Sequence, residues 1–389
     1  MAVLTPVEVR DELAAQLDEL ADLTRRLGAI DSPPDAPAGV AAVLALLGEA
    51  LRDSGCTVQR IDVGGGLFVL DATLDLGPGP TVLILGHADT VWPEGTVAEW
   101  GFERRDGRWR GPGVGDMKAC LVVAVHALRV IAARRDAYRG RVRLLVIPDE
   151  EAGSVRSRAV IEAAAASAAA CLTLEAARAG GGLVTSRAAV GAMRIEVDGE
   201  ACHVTDPPPH RDALAPLVAL AASLSTLGTA DATARLGVLR AGTARQLVPE
   251  HALALIDLRA DSTAAGEALA DAIGRQVQSL ASAAGVEATI TGGITRPAFV
   301  RTAATAALYA EAAAAATLLD QPLCEVAERG GSDASFPAAL GVPTLDGLGP
   351  ICHASCSREE WIEESSIAVF GALLVMLTVG RLEPSGAFS

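Results

Sequence analysis

Positive charge is scarce in this sequence. Its 389 residues hold 32 Lys and Arg against 48 Asp and Glu, a formal net charge of −16 at pH 7. Nucleic acid and anionic membrane surfaces would repel such a chain, so neither is expected as a partner. Long apolar runs are missing too. The longest near the carboxyl end, Ile367 to Gly380, is too short to cross a bilayer and fits a buried helix. No basic segment followed by an apolar run opens the sequence, so no signal peptide is expected. The seven cysteines, Cys56, Cys120, Cys171, Cys202, Cys324, Cys352 and Cys356, are odd in number and scattered. Without an export signal, that pattern predicts reduced thiols and a cytoplasmic location. Cys352-His353-Ala354-Ser355-Cys356 has the residue types of a metal site, but no second Cys pair at finger-like spacing accompanies it. There is no Gly-x-Ser-x-Gly elbow, no context that makes Cys120 or Cys352 a thiolate nucleophile, and no repeat period.

What the sequence does have is ordinary globular material, 50% hydrophobic and 21% charged, in a chain too long for one compact core. Two domains are expected. The organising stretch is Val82-Leu83-Ile84-Leu85-Gly86-His87-Ala88-Asp89: four branched apolar residues read as a buried parallel strand, emptying into a polar loop. His87 and Asp89 stand two apart, so an extended backbone sends both side chains to one side.

Around that strand the pattern alternates. Leu13, Leu17, Leu20, Leu23 and Leu27 give residues 7 to 28 a helical stripe, and a second helix runs to about Leu51. Strand-like stretches at Thr57 to Ile61 and Leu67 to Ala72 precede the central strand. A hairpin from Phe102 to Trp109 turns at Asp106-Gly107 and leads to Gly111-Pro112-Gly113-Val114-Gly115-Asp116-Met117-Lys118. Helix follows from Ala119 to about Arg135, then strand Arg141 to Ile147, which empties into Pro148-Asp149-Glu150-Glu151. A further helix leads to strand Ala170 to Leu174, ending at Glu175. This predicts an α/β fold with a largely parallel sheet, spanning residues 1–185 and resuming at 297–389. Between them, residues 186–296 alternate differently: Val190, Met193, Ile195 and Val197 signal a sheet with one solvated face, and helices over Ala213 to Leu227 and Ala264 to Ala284 complete an inserted α+β domain.

Polar residues collect where the apolar strands end: His87, Asp89, Asp116, Glu150, Glu151, Glu175 and, after the last strand, His353. Imidazole and carboxylate are the donors that zinc or another borderline divalent metal prefers, and two His with three or four acids could hold two ions bridged by one carboxylate. Such a pair clamps and activates a water. Each residue also has a structural reading, as a solvated turn, a helix cap or a loop histidine.

In order, His87-Ala88-Asp89-Thr90-Val91, Gly111 to Lys118, Asp149-Glu150-Glu151, Glu175, Gly330-Gly331-Ser332-Asp333 and His353 resemble the motifs of the dinuclear zinc family that contains glutamate carboxypeptidase, aminoacylase, acetylornithine deacetylase and succinyl-diaminopimelate desuccinylase. Trp92-Pro93-Glu94-Gly95-Thr96 and Thr295-Arg296-Pro297-Ala298-Phe299 are most similar to the bacterial glutamate carboxypeptidase branch. The resemblance implies a zinc-peptidase catalytic domain with an inserted dimerisation domain, a homodimer, and two divalent ions, zinc in the first place with cobalt or manganese as alternatives. It makes Asp116 the bridging carboxylate, with His87 and Glu175 at one ion and Glu151 and His353 at the other. Asp89 orients His87, and Glu150 is the general base. It also implies a cis peptide bond between Asp116 and Met117.

Within the insert, Asp198-Gly199-Glu200-Ala201-Cys202-His203 resembles the family's Gly-x-Ala-Ser-His motif, whose His stabilises the oxyanion in the partner's site. Cys202 replaces the usual Ser, and Val204-Thr205-Asp206-Pro207 replaces small residues. Asp257-Leu258-Arg259 resembles the strand whose Arg binds the substrate carboxylate, a bidentate role that suits guanidinium. Gln246, where the family commonly has Asn, together with Arg296, Gly331 and Ser332 completes the implied substrate-binding set. The expected activity is hydrolysis of an N-acyl amino acid or removal of a carboxy-terminal residue from a small amide or peptide bearing a free carboxylate. The drift at Cys202, Val204 and Gln246 motivates a second reading, a non-hydrolytic binding or amide-transfer protein on the same fold.

Overall fold

The computed structural model describes residues 4–385. The chain forms two units. The first runs to Ser186 and takes in Arg301–Ala327 and everything from Ser332; the second is Arg187–Val300 with Glu328–Gly331. The second unit thus runs past residue 296, where its sequence pattern ends. Backbone pairing accounts for the difference: Phe299 N donates to Arg187 O at 3.0 Å, Arg187 N to Phe299 O at 2.8 Å, and Ala188 N to Glu328 O at 2.9 Å.

The first unit is built on a mixed sheet. Its strands are β1 (Thr57–Gly64), β2 (Leu67–Asp75), β3 (Thr81–His87), β4 (Arg141–Ile147) and β5 (Ala168–Thr173), in the order β1-β2-β4-β3-β5, with the short strand Thr344–Leu345 beyond β5. β3 runs parallel to β4 and β5, and Thr344–Leu345 parallel to β5; β2 is antiparallel to β4, and β1 to β2. β3 carries no polar face because both of its faces are covered. Val82 and Ile84 join the larger core with the helices Ala119–Ala132 and Glu364–Val379, while Leu83 and Leu85 join a second core with Ile147, Ile161 and Phe336. That is why the strand reads as an unbroken apolar run. The register pairs His87 with Ile147 and Leu85 with Thr173. The loops after β3, β4 and β5 therefore leave the sheet at one edge, where open α/β sheets place their chemistry.

The predicted hairpin forms as Glu103–Arg105 and Arg108–Arg110, with Asp106 and Gly107 at φ 54° and 71°. Two consecutive positive φ values are what a tight hairpin turn of this twist requires, and Asp-Gly supplies them. The hairpin extends into a second sheet through Trp361–Glu363, Gly349–His353 and Ala176–Ala177. Residues 7 to 28, read as one helix, are two: Pro6–Ala14 and Leu17–Gly28. Gln16 sits at the break, its side chain turned to the buried ring of His126, 2.8 Å from Nδ1. The carboxyl-terminal apolar run is a helix, Glu364–Val379, buried along nearly its whole length. Among the described residues no helix is long and apolar enough to cross a membrane.

The second unit is a four-stranded antiparallel sheet. Its strands are β6 (Ala189–Asp198), β7 (Ala232–Ala241), β8 (His251–Ala260) and β9 (Glu287–Arg296), in the order β7-β8-β6-β9. Helices Leu214–Leu227 and Thr263–Ala284 cover one face, packing Leu217, Leu220, Leu269 and Ile273 against Met193, Ile195 and Val197. Val190 is the exception to the expected alternation. The buried parity on β6 is odd, so Val190 lies out of step with Met193 and is only half-buried. The longer helix carries legible ends, with Ser262 capping Ala265 N and Gly285 at φ 65°.

Candidate metal centre

His87 is the last residue of β3 and is 1% exposed. Its Nδ1 lies 2.9 Å from the Asp89 backbone carbonyl, which can only accept, so Nδ1 carries the hydrogen and Nε2 faces away. Nε2 is 3.0 Å from Asp116 Oδ1 and 3.9 Å from Glu175 Oε1. The Asp89 carboxylate is fully buried and stands beside the ring's Nδ1, and it has a second task as well. Its oxygens accept the backbone N–H groups of Glu150 at 3.1 Å and Glu151 at 2.8 Å, and Oδ1 stands 3.4 Å from His87 Nδ1. One residue thus fixes the imidazole through its carbonyl and the β4 loop through its side chain.

Asp116 is delivered by a glycine-rich loop. Gly113 has φ 67°, and a Cβ on Gly115 would lie 2.3 Å from Cys352 Sγ, so that site admits only glycine without displacement of its neighbours. The Asp116–Met117 peptide bond is cis, as the family resemblance implied. Asp116 Oδ2 accepts from Ser355 Oγ and from Cys356 Sγ, each at 3.3 Å. Below this loop the chain is tied to its own early segment. Lys118, 2% exposed, donates from Nζ to Ile30 O at 2.6 Å; Asp31 accepts Gly95 N at 2.7 Å and Val97 N at 3.0 Å; Thr90 N donates to Ser32 O at 2.9 Å.

His87, Asp116 and Glu151 each offer one ligand atom within 4.8 Å of the others, the one such trio among the described residues. Glu151 Oε1 is buried without a hydrogen-bond partner. An uncompensated buried carboxylate oxygen is costly unless something positive meets it. The titration behaviour points the same way. Burial, then the negative charge of Asp116, pushes Glu151 up to about 8. Burial lowers the basicity of His87, yet its contacts with Asp116 and Asp89 outweigh that and hold it well above its ordinary value. The donor set, one imidazole and two carboxylates with Glu175 close by, fits a borderline divalent cation.

The remaining expected residues are placed as follows. Glu150 is 7% exposed beside Glu151. His353 lies outside the trio: its Nε2 is 2.7 Å from Glu363 Oε1 and its ring stacks on Trp361, centroids 4.1 Å apart and 7° from coplanar. Ser332 is fully buried and accepts Ala334 N. In the second unit His203 is exposed, with Nδ1 2.7 Å from Thr205 Oγ1, and Gln246 is exposed and holds Val204 N through its backbone carbonyl. Arg259 binds Asp257 through both Nε and an Nη, at 2.8 and 2.9 Å, and donates to Arg329 O at 3.0 Å. Arg296, 8% exposed, lies against Gly331, where a Cβ would come within 2.9 Å of its Nη1.

Glu360 is a participant that sequence reasoning missed. It is 1% exposed, and it accepts Gly115 N at 2.8 Å and Cys356 N at 3.0 Å, lashing the Asp116 loop to the 354–357 loop. Burial raises it to about 7. The available signal was the acid pair Glu359-Glu360 directly before apolar Trp361-Ile362, a strand's amino rather than carboxyl end.

Comparison with known proteins agrees with this geometry. The model of "Peptidase family M20/M25/M40" matches residues 83–378. Carboxypeptidase G2 from Pseudomonas sp. (strain RS-16) is 28% identical over 344 residues, 85% of this chain and 81% of that protein. The aminopeptidase PepT of Bacillus cereus has the same fold, with a TM-score of 0.77 at 22% identity, covering 93% of this chain and 98% of that one. So has an M20 family metallo-carboxypeptidase from Sulfolobus solfataricus, with a TM-score of 0.75 at 16% identity, covering 94% and 99%. These findings do not favour the non-hydrolytic reading. The chain belongs to Peptidase family M20/M25/M40, a family of metal-dependent hydrolases.

Proposed function

We propose that this hydrolase cleaves the amide bond of an N-acyl amino acid, or releases a carboxy-terminal residue from a small amide or peptide, as a glutamate carboxypeptidase or aminoacylase does. The observation that carries the reading is the convergence of His87, Asp116 and Glu151 around an unpartnered, buried Glu151 Oε1. Two divalent ions, zinc first and cobalt or manganese as alternatives, would be held by His87, Asp116, Glu151 and Glu175, with His353 added if it exchanges its Glu363 partner. When bound, such ions supply Lewis acidity and lower the pKa of water.

The chain's own residues do the rest. Glu150, with its backbone pinned by Asp89, takes the proton of the attacking water and returns it to the leaving amine. Asp89 keeps His87 in one tautomer and one orientation. His203 of a second copy donates to the oxyanion. Arg259 exchanges Asp257 for the substrate carboxylate, a group of the same shape and charge, and Gln246, Arg296, Gly331 and Ser332 complete substrate binding. The test is dialysis against a chelator followed by metal add-back, with hydrolysis of N-acyl-glutamate and related acyl amino acids measured at each stage. Activity is expected to vanish and return; turnover indifferent to metal overturns the proposal.

A further inference from the structure

We infer that Trp361 is a positioning residue for His353: its indole face sets the plane of the imidazole that the family resemblance assigns to an ion. The inference rests on the metal-hydrolase reading and deepens it at one ligand. Strand pairing places the groups. Trp361 stands opposite His353 on one flanking strand and opposite Arg110 on the other, and Glu363 stands opposite Arg108. Residues directly opposite, and residues two apart on one strand, share a face of a sheet. His353, Trp361, Glu363, Arg108 and Arg110 therefore lie on one face, with Trp361 and Glu363 in the middle row.

The side chains use that arrangement. The imidazole of His353 lies flat on the indole, centroids 4.1 Å apart and 7° from coplanar. The guanidinium carbon of Arg108 is 4.2 Å from the Trp361 ring centroid. Arg108 comes from the strand on the far flank, so it backs the indole on the side away from His353. A cation over a tryptophan face is attractive, and here it seats the indole between two partners. An imidazole resting on a ring held in this way cannot tilt toward it without overlap.

His353 needs the stack because its other contacts leave the ring free to turn. Its one side-chain hydrogen bond among the described residues joins Nε2 to Glu363 Oε1 at 2.7 Å. Nε2 lies close to the Cβ–Cγ axis about which an imidazole rotates, so a bond there does little to fix that torsion, which is a broad one for histidine. Nor do walls fix it, since the side chain is 28% exposed. His87 is the reverse case, 1% exposed and held at Nδ1 by the Asp89 carbonyl. The two histidines are oriented by different means, one by a hydrogen bond at its second nitrogen and the other by an aromatic face. When Nε2 exchanges Glu363 for an ion, the ring keeps a plane it already has, and a donor ordered in advance binds more tightly than one ordered on binding. A phenyl ring would supply such a face; a leucine side chain would not.

The experiment uses the full chain, stripped of metal and titrated with Co²⁺ alone, with bound ions counted by equilibrium dialysis. Trp361→Leu is expected to weaken one ion about 10–100-fold, as His353→Ala does, and Trp361→Phe to restore most of that loss. Added to His353→Ala, Trp361→Leu is expected to cost little more, because both act through one imidazole. Failure of the unaltered protein to take up cobalt overturns the metal-hydrolase reading itself. Full affinity in His353→Ala removes His353 from the ligands, and the inference with it. Where His353→Ala binds weakly, full affinity in Trp361→Leu overturns the positioning role alone. So does a loss that Trp361→Phe fails to restore, or one that recurs in full on top of His353→Ala. A second measurement needs no variant at Trp361: in proton NMR the His353 ring protons, identified by their absence in His353→Ala, are expected to be shifted upfield by the indole and to stay so when zinc binds. Ordinary shifts in either state overturn the inference.

Discussion

The loops after β3 and β4 and the second unit hold, in opposite ways, the side chains expected to act. In the first unit, Asp89 and His87 are sealed from solvent, and both reach other loops: Asp89 holds two backbone N–H groups, and His87 faces Asp116. In the second, His203 is exposed and Arg259 half-exposed, and each takes a partner two residues away, Thr205 and Asp257, with Arg259 donating to Arg329 O besides. Metal ligation needs rigid donors fixed in advance, because a misplaced ligand costs affinity. Substrate recognition tolerates groups that exchange a local partner for a ligand. The two regions should therefore respond differently to substitution, with stability and activity coupled in the first and separable in the second.

The largest effect is expected where the chemistry is proposed. Glu150→Gln should lower kcat by about 10²–10⁴-fold while binding metal as before, measured by single-substrate kinetics beside metal analysis. A variant that keeps full turnover would remove Glu150 from the mechanism. Next comes Asp89→Ala. It strips two buried N–H groups of their acceptor at roughly 1–3 kcal/mol apiece, so urea unfolding should show a loss of about 2–6 kcal/mol together with weakened metal binding. Unchanged stability would break the contrast drawn above.

A smaller effect is expected at His126, buried in the helix Ala119–Ala132 and outside the metal centre. Burial, reinforced by Arg129, lowers it to about 4 from an ordinary 6.5. The unfolded chain therefore binds a proton that the folded chain refuses between those values, and stability falls as pH falls through that window. His126→Gln should flatten unfolding curves recorded across it, by at most about 3 kcal/mol; an unchanged pH slope would place the titration elsewhere. The smallest stability effect is expected at Arg259. Its ion pair with Asp257 is partly exposed, so Arg259→Ala should cost under about 1 kcal/mol in urea unfolding, yet raise KM for carboxylate-bearing substrates with kcat less affected. A large loss of stability would show that the second unit is built like the first.

Much of this was legible in the sequence because the signals are local. An apolar run followed by Gly86-His87 marks a strand end, Asp106-Gly107 marks a hairpin, and Ser262 and Gly285 mark a helix. The expectation for residues 7 to 28 failed in one place. Leucine spacing says nothing of a break whose middle residue, Gln16, finds its partner 110 positions away on His126. Glu360 was illegible for the same reason: its partners, Gly115 and Cys356, are set by the meeting of two loops. His353 shows the converse. Its motif position was readable, but its present partner, Glu363, follows from a strand pairing that sets His353 opposite Trp361.

The ties from Ile30, Asp31 and Ser32 to Lys118, Gly95, Val97 and Thr90 bear on how the chain can be handled. That tripeptide works as a buckle, fastening the loops on either side of the metal centre from a point far upstream in the sequence. Trimming into the helices upstream of the buckle should cost stability, because Val9, Leu13, Leu20 and Leu27 are buried in the main core, and a cut past the buckle should loosen ion retention as well. A fusion or affinity tag is best joined well clear of that point.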